Sequence, residues 1–332
     1  MKIAFLELEG WEEDIIRKRL SNHELYLSRD VLNEKILNEI KDIDILSVFI
    51  NSKVDCDTLK ALSNLKAIVT RSTGYDHIDV NICTRRGIKV YNIPDYGSNT
   101  VAEFTFLLIL SLMRMIQNVI KYEATSHIEL RGHDLKDKII GVLGTGRIGT
   151  YVIKLAHAFG MKILAYDKYP KEELVKKYQV KYVDLETILK NSDIITLHLP
   201  YFKETHHIIN SDNIKLIKEG AVLVNTSRGA LIETKAIIEA LESGKLNGVA
   251  LDVIEAEKIM KFDNDIIYGS KTASFEELKN VLAAYKLKEY PQVILTPHIA
   301  YNTWEAVNRI LEKTLALIEE IAQGKWPEKS LT

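Results

Sequence analysis

Three residues of this 332-residue chain carry complementary chemistry, and each follows a short run rich in β-branched and apolar residues. Arg228 comes after Ala221–Thr226, Glu257 after Gly248–Val253, and His298 after Val293–Thr296. A guanidinium grips a carboxylate with paired hydrogen bonds and polarises an adjacent carbonyl. An imidazole exchanges a proton near neutral pH, and a neighbouring carboxylate orients the ring and stabilises its charged form. Together such groups suit the reduction of a 2-keto acid, or the reverse oxidation. Each has a plainer reading as well. Arg228 could be a surface ion pair, Glu257 (beside Glu255 and Lys258) a solvated loop charge, and His298 a turn cap after Pro297. No metal centre is expected. The chain has no H-E-x-x-H, and His206-His207, being adjacent, should point apart in a strand or helix. No G-x-S-x-G nucleophile elbow is present.

A second constellation is Gly144-Thr145-Gly146-Arg147-Ile148-Gly149, a G-x-G-x-x-G that follows the apolar run Ile139–Leu143 and opens a helical pattern reaching Phe159. Gly144 permits the tight turn, Gly146 lets the backbone approach a pyrophosphate, and Gly149 lets the helix pack on the strand. The helix N-terminus then offers amides and a positive dipole to phosphates. The next run, Lys162–Asp167, ends in an acid 18 residues after Gly149. A carboxylate there binds both ribose hydroxyls and repels a 2′-phosphate, which favours NAD over NADP. The alternative is a glycine turn followed by an ordinary strand-end Asp. A P-loop is excluded, because Thr150 stands where that motif needs lysine.

Elements that could position these residues alternate along the chain. Candidate strands are Lys2–Leu8, Ile45–Ile50, Ala67–Ser72, Lys89–Asn92, Ile139–Gly144, Lys162–Asp167, Asp193–Leu199, Ala221–Thr226, Gly248–Val253 and Val293–Thr296. Most lack polar alternation, as expected of parallel strands covered on both faces. Helical stretches such as Thr187–Asn191 and Lys235–Ser243 lie between them, and Thr100–Tyr122 and Thr303–Gln323 read as two long helices. This is the rhythm of an α/β protein with doubly wound parallel sheets. In such sheets ligands bind outside the carboxyl ends of the strands, where Arg228, Glu257 and His298 would converge.

Composition narrows the class. With 46% hydrophobic and 27% charged residues the chain fits a globular protein of about two domains. Its 44 basic and 46 acidic residues give a net charge of −2, without the basic excess of a nucleic-acid binder. Two cysteines, Cys56 and Cys83, argue against a disulfide framework. No secretory signal is visible, and the longest apolar segment, near Phe104–Met113, is too short to span a bilayer. A soluble, cytoplasmic protein is expected, without membrane or nucleic-acid partners.

The chain resembles the D-2-hydroxyacid dehydrogenases over nearly its whole length. The resemblance is carried by RSTGYDHID (71–79), NTVAEF (99–104), GVLGTGRIG (141–149), SDIITLHLP (192–200), VNTSRGALI (224–232), GVALDVIEAE (248–257) and TPHIAYNTWEAV (296–307). It implies a catalytic trio of Arg228, Glu257 and His298, with Glu257 rather than Glu255 in the catalytic place. It implies NAD as cofactor and a small 2-keto or 2-hydroxy acid as substrate. Two α/β domains are implied, a flavodoxin-like substrate domain from residues 1–99 and 299–332 and a Rossmann NAD-binding domain from 100–298, with the active site in the cleft between them. The helix near Thr100–Tyr122 is implied to build a homodimer. Arg147 and Ile148 are implied at the pyrophosphate and His198, Leu199 and Pro200 at the adenine side, with Thr226 and Asp252 near the nicotinamide. The Thr73 and Gly74 backbone would hold the substrate carboxylate, and Tyr96 and Tyr301 would be aromatics on the substrate side. Five of these positions have a plainer alternative: a glycine turn for Thr73-Gly74, a core role for His198 and packing for Tyr96 and Tyr301.

The segment between Glu257 and His298, with HIAYNT, is similar to D-lactate dehydrogenases and to 2-keto-acid reductases of the vancomycin-resistance type. The expected activity is reduction of pyruvate to D-lactate with NADH. The alternatives are another 2-keto acid (2-ketoisocaproate, phenylpyruvate, glyoxylate or hydroxypyruvate) and a non-enzymatic NAD-responsive interaction protein on the same fold. Residues 258–290, rich in Lys and Glu, read as a solvated insertion.

Overall fold

The computed structural model describes residues 1–121, 130–255 and 274–332, so Glu257 and Tyr122 lie outside the described residues. The chain forms two compact units, one of residues 1–96 with 303–332 and the other of residues 97–302.

The first unit is built on five parallel strands: β1 (Lys2–Phe5), β2 (Glu24–Leu27), β3 (Ile45–Val48), β4 (Ala67–Thr70) and β5 (Lys89–Asn92). Their order, β2-β1-β3-β4-β5, is that of the flavodoxin-like doubly wound sheet. Strands β3 and β4 are buried at every position, which is why they read as unbroken runs without polar alternation. Strand β2 has no such run. It is an edge strand with Glu24 exposed, and the sequence reading passed over it. Helix Trp304–Ala322 returns to this unit with Thr303 as its cap, the Thr303 side chain accepting from the Ala306 amide. Its buried residues Ala306, Ile310, Leu311, Leu315, Ile318 and Ile321 recur at three- and four-residue spacing. Burying such an aliphatic side chain is worth about 1.5–3 kcal/mol. Arg19, which donates to Glu312 and Glu319 from helix Glu12–Arg19, adds far less because the pairs are largely exposed.

The second unit has, among its described residues, seven parallel strands: β6 (Ile139–Leu143), β7 (Lys162–Tyr166), β8 (Lys181–Tyr182), β9 (Ile194–Leu197), β10 (Ala221–Asn225), β11 (Leu246–Leu251) and β12 (Val293–Leu295). The order is β12-β11-β10-β9-β6-β7-β8, the Rossmann arrangement with β12 added beside β11. The two-residue edge strand β8 also escaped the sequence reading. Neighbouring residues of each central strand face opposite sides of the sheet, and both sides are apolar. Ile194 and Val224 join Ile109, Val142 and Val152 on one face, while Ile195 and Leu223 join Leu143, Ile188 and Ile237 on the other. The strand order reverses between β6 and β9, so a crevice opens there at the carboxyl ends.

Three expectations change. The helix read over Thr100–Tyr122 is Ser98–Met113 followed by Ile116–Lys121. Met115 adopts φ 50°, and the Met113 carbonyl accepts from the His133 amide of the returning chain. Apolar residues on both sides of the break hid it. Of the insertion read as solvated, Phe275–Lys288 is a helix that buries Ala284 and Leu287 completely. The units divide at 96/97 and 302/303 rather than at 99/100 and 298/299. Residues 299–302 stay with the second unit because the buried Asp252 carboxylate at the exit of β11 accepts from the Ile299 and Ala300 amides.

Candidate active site

The glycine loop is shaped partly by the protein and partly for something else. Gly144 has φ 96°, and a Cβ there would stand 2.7 Å from the His198 carbonyl. A Cβ on Gly149 would stand 2.0 Å from the Gly144 oxygen. Both glycines are therefore required by close backbone packing. Gly146 is different, because a Cβ there meets nothing within 4 Å. The chain itself does not demand glycine at 146, but a phosphate approaching the backbone does. Helix Arg147–Ala158 starts there without a side-chain cap, so Arg147, Ile148 and Gly149 present its first turn to a ligand.

Asp167 ends β7 beside this loop. Its Oδ2 accepts from the Thr145 amide at 2.6 Å and the Thr145 hydroxyl at 3.0 Å, and its Oδ1 accepts from the Tyr169 amide. The Tyr182 hydroxyl donates to Thr145, and Lys171 Nζ lies 3.3 Å from Thr150 Oγ1. Sequence did not reveal these contacts, since Tyr182 comes from the edge strand β8 and Tyr169 and Lys171 from the loop that follows β7. Across the switch point, the His198 amide donates to the Leu143 carbonyl. The His198 Nε2 contacts the Thr196 hydroxyl at 2.9 Å, while its buried Nδ1 has no hydrogen-bond partner among the described residues. Burial pushes this imidazole down to about 3, so it is neutral at physiological pH. Leu199 is buried and Pro200 exposed at the same edge.

The donor set fits a dinucleotide: open space over Gly146, an uncapped helix start, and a carboxylate at the end of β7. NAD would sit against Gly144–Gly149, with Asp167 at its adenosine ribose.

Arg228 lies just after β10 in a turn fastened at several points. Asn225 Nδ2 donates to the Arg228 carbonyl, the Ser227 amide donates to Asn225 Oδ1, and Ser227 Oγ donates to the Leu199 carbonyl at 2.5 Å. The half-buried Arg228 guanidinium donates through Nη1 to the Ser227 carbonyl. Gly229 brings this turn against the exit of β11, since a Cβ there would lie 2.2 Å from the Ile254 carbonyl carbon. Thr226 is buried, its hydroxyl 3.0 Å from that of Thr105 on helix Ser98–Met113.

His298 adopts φ 57°, an uncommon conformation for a non-glycine residue. Asp252 enforces it. The His298 amide donates to the Asp252 carbonyl at 3.0 Å. The Asp252 carboxylate accepts from Thr296 Oγ1 (2.6 Å), the Ile299 amide (2.9 Å) and the Ala300 amide (2.9 Å). It is 1% exposed. Both carboxylate oxygens are committed to the turn that carries His298. Tyr301 follows this turn, half-buried.

Glu255 is also committed. It accepts from His207 Nε2 at 2.6 Å and from the amide and hydroxyl of Thr234. Glu257 lies outside the described residues. His206 and His207 do not diverge as expected. Their rings stack 3.8 Å apart, because His207 takes φ 48° in a turn instead of a strand or helix. Among the described residues no group of His, Cys, Asp and Glu suits a metal ion.

In the first unit, the loop after β4 carries Thr73 and Gly74. The Ser72 hydroxyl donates to the Gly74 carbonyl at 2.6 Å, and Asn92 Nδ2 donates to the Thr73 carbonyl. Those bonds hold the carbonyls, and among the described residues neither the Thr73 nor the Gly74 amide donates to a protein acceptor. Tyr96 is 9% exposed, and its carbonyl accepts from Arg309 Nε.

The second unit is thus a dinucleotide-binding Rossmann domain with a histidine and an arginine at the carboxyl ends of its strands. Residues 106–300 match the family model described as D-isomer specific 2-hydroxyacid dehydrogenase, NAD binding domain. The chain is 38% identical to the D-specific alpha-keto acid dehydrogenase of Enterococcus faecium, over 81% of this chain and 80% of that protein. It is 35% identical to the glyoxylate reductase of Thermofilum pendens, over 89% and 83%. Its fold matches the crystal structure of D-lactate dehydrogenase from Aquifex aeolicus complexed with NAD and lactic acid, at TM-score 0.89 and 36% identity, covering 97% of this chain and 96% of that one. The chain belongs to the D-isomer specific 2-hydroxyacid dehydrogenase family. It is an NAD-dependent oxidoreductase acting on the CH–OH group of 2-hydroxy acids.

Proposed function

We propose that the enzyme reduces pyruvate to D-lactate. The observation that carries this reading is the His298 turn, where a buried carboxylate commits both oxygens to the backbone and Thr296 hydroxyl around a histidine at a strand end. Similarity to the Aquifex aeolicus D-lactate dehydrogenase supports the choice of substrate. NADH supplies the hydride delivered to the keto carbon. His298 donates a proton to the keto oxygen, and Glu257 supports the imidazolium. Arg228 grips the substrate carboxylate and polarises the carbonyl. In the first unit, which we assign as the substrate domain, the Thr73 and Gly74 amides are suited to a carboxylate, and Tyr96 and Tyr301 are assigned to the substrate side. Similarity to the glyoxylate reductase and the alpha-keto acid dehydrogenase supports a second reading, in which the same machinery reduces a smaller or bulkier 2-keto acid.

The reading extends to a cytoplasmic homodimer. Helix Ser98–Met113 is mostly apolar yet leaves Leu107 55% exposed, and Ile120 beyond it is 77% exposed. Both cysteines are free, as suits a reducing compartment. No helix among the described residues is long and apolar enough to cross a membrane. The test of the catalytic assignment is Arg228→Ala. Turnover of the keto acid should collapse while NADH binding survives, and near-normal turnover would remove Arg228 from the mechanism.

A further inference from the structure

The loops leaving β9, β10 and β11 meet at a carboxylate to which the proposed chemistry gives no task. Glu255 follows β11, and its side chain is 10% exposed. Its Oε1 accepts from His207 Nε2 at 2.6 Å, and its Oε2 accepts from the Thr234 amide at 2.8 Å and the Thr234 hydroxyl at 2.7 Å. His207 belongs to the segment after β9, and Thr234 begins the helix Thr234–Glu242 that follows the Arg228 turn. The backbones of these segments are already joined on two sides. The His207 amide donates to the Ala230 carbonyl, Ile209 to Leu231, and Glu233 back to Ile209, so residues 207–209 run alongside 230–233. On the other side Gly229 abuts the carbonyl of Ile254. The Glu255 side chain closes the third side. It does so two residues after the Gly229 contact point's neighbour, Val253, and within one chain step of Ile254 itself.

Capping helix Thr234–Glu242 would need only the two Thr234 contacts. The His207 contact does something else, tying the β9 exit to the β11 exit across the Arg228 turn. It holds His207 in a left-handed conformation, with His206 stacked at 3.8 Å and Tyr201 edge-on to His206 at 5.9 Å. A part-buried hydrogen bond to a carboxylate, at 2.6 Å, is short and directional, so it fixes position as well as adding energy.

We propose that His207 and Glu255 are positioning residues of the dehydrogenase reaction, a clasp that sets the Arg228 turn against the start of the β11 loop. The proposal rests on the reading of Arg228 as the group that grips the substrate carboxylate. Neither residue touches substrate. A misplacement of about 1 Å in such a group costs about 10²-fold in rate.

The test uses the full-length protein and a 2-keto acid that the wild type turns over. His207→Ala leaves the Thr234 cap intact. It should lower kcat/KM about 10- to 100-fold, while the NADH Kd, read by quenching of protein fluorescence, stays within about threefold. His207→Gln can still donate to Glu255 and should return kcat/KM to within about threefold of wild type. A His207→Ala enzyme within twofold of wild type would overturn the clasp. So would a parallel loss of NADH affinity, or a folded His207→Gln enzyme as impaired as the alanine variant. A wild type that turns over no 2-keto acid would instead strike at the Arg228 reading, and the clasp would fall with it.

Discussion

Asp252→Asn should damage catalysis more than its size suggests. In the wild type Oδ1 accepts from both Thr296 Oγ1 and the Ile299 amide, and Oδ2 accepts from the Ala300 amide. The asparagine oxygen can keep the first two bonds. Its NH₂ then faces the Ala300 N–H, donor against donor, in a site that is 1% exposed. Leaving one buried donor unmatched costs about 1–3 kcal/mol. His298 is the residue placed to relieve that cost, since its left-handed backbone already costs about 1–2 kcal/mol and would relax if the turn opened. The turn should therefore open locally and take the imidazole with it. Loss of an aligned proton donor reduces turnover by a factor of about 10²–10⁴. Urea denaturation would report the stability loss, single-turnover stopped-flow would report the chemical step, and NADH titration would show whether the cofactor site stays intact. Asp252→Ala, which strips the acceptor from all three donors, should be worse on stability and turnover alike. Wild-type single-turnover rates in Asp252→Asn, with stability also unchanged, would refute the idea that this carboxylate aims His298.

Three further outcomes follow from the same geometry. Gly146→Ala places a Cβ where no protein atom lies within 4 Å, so thermal stability should hardly change while the NADH Kd, measured calorimetrically, rises by about tenfold or more; Gly144→Ala, which drives a Cβ into the His198 carbonyl, should instead lose stability. His198 has a folded-state value of about 3, below that of a free histidine near 6.5, so the unfolded chain takes up the proton first on acidification. Stability should fall as pH drops from about 6.5 toward 3, by up to about 1.4 kcal/mol per pH unit from this group, and His198→Gln should flatten that limb in urea titrations at pH 7 and pH 5. Leu107→Glu puts a charge on the exposed apolar side of helix Ser98–Met113 and should convert a dimer to monomers in light scattering, whereas an unchanged mass would place the interface elsewhere.

Much of this was legible in the sequence for an identifiable reason. Central strands such as β3, β4, β9 and β10 are apolar on both faces, and that pattern survives in one dimension. The glycine spacing and the strand-end positions of Arg228 and His298 are likewise local facts. Edge strands β2 and β8 were not legible, because a strand covered on one side only, or two residues long, leaves no apolar run. The helix break at Met115 depends on a carbonyl taken by His133 from a returning segment, which no local pattern announces. The same holds for Asp252. Its residue type marked it as chemical, but only the fold reveals that its partners are Thr296, Ile299 and Ala300. His207 and Glu255 looked like an adjacent histidine pair and a spare acid, and their meeting is purely tertiary.

The most direct measurement follows NADH absorbance with purified enzyme and a panel of 2-keto acids running from glyoxylate and pyruvate to 2-ketoisocaproate and phenylpyruvate, with the product's handedness determined. Pyruvate should give the highest kcat/KM, and the product should be D-lactate. A clear preference for glyoxylate or a bulkier acid would contradict the proposed substrate, and L-lactate as product, or no turnover by an enzyme that binds NADH, would contradict the mechanism itself.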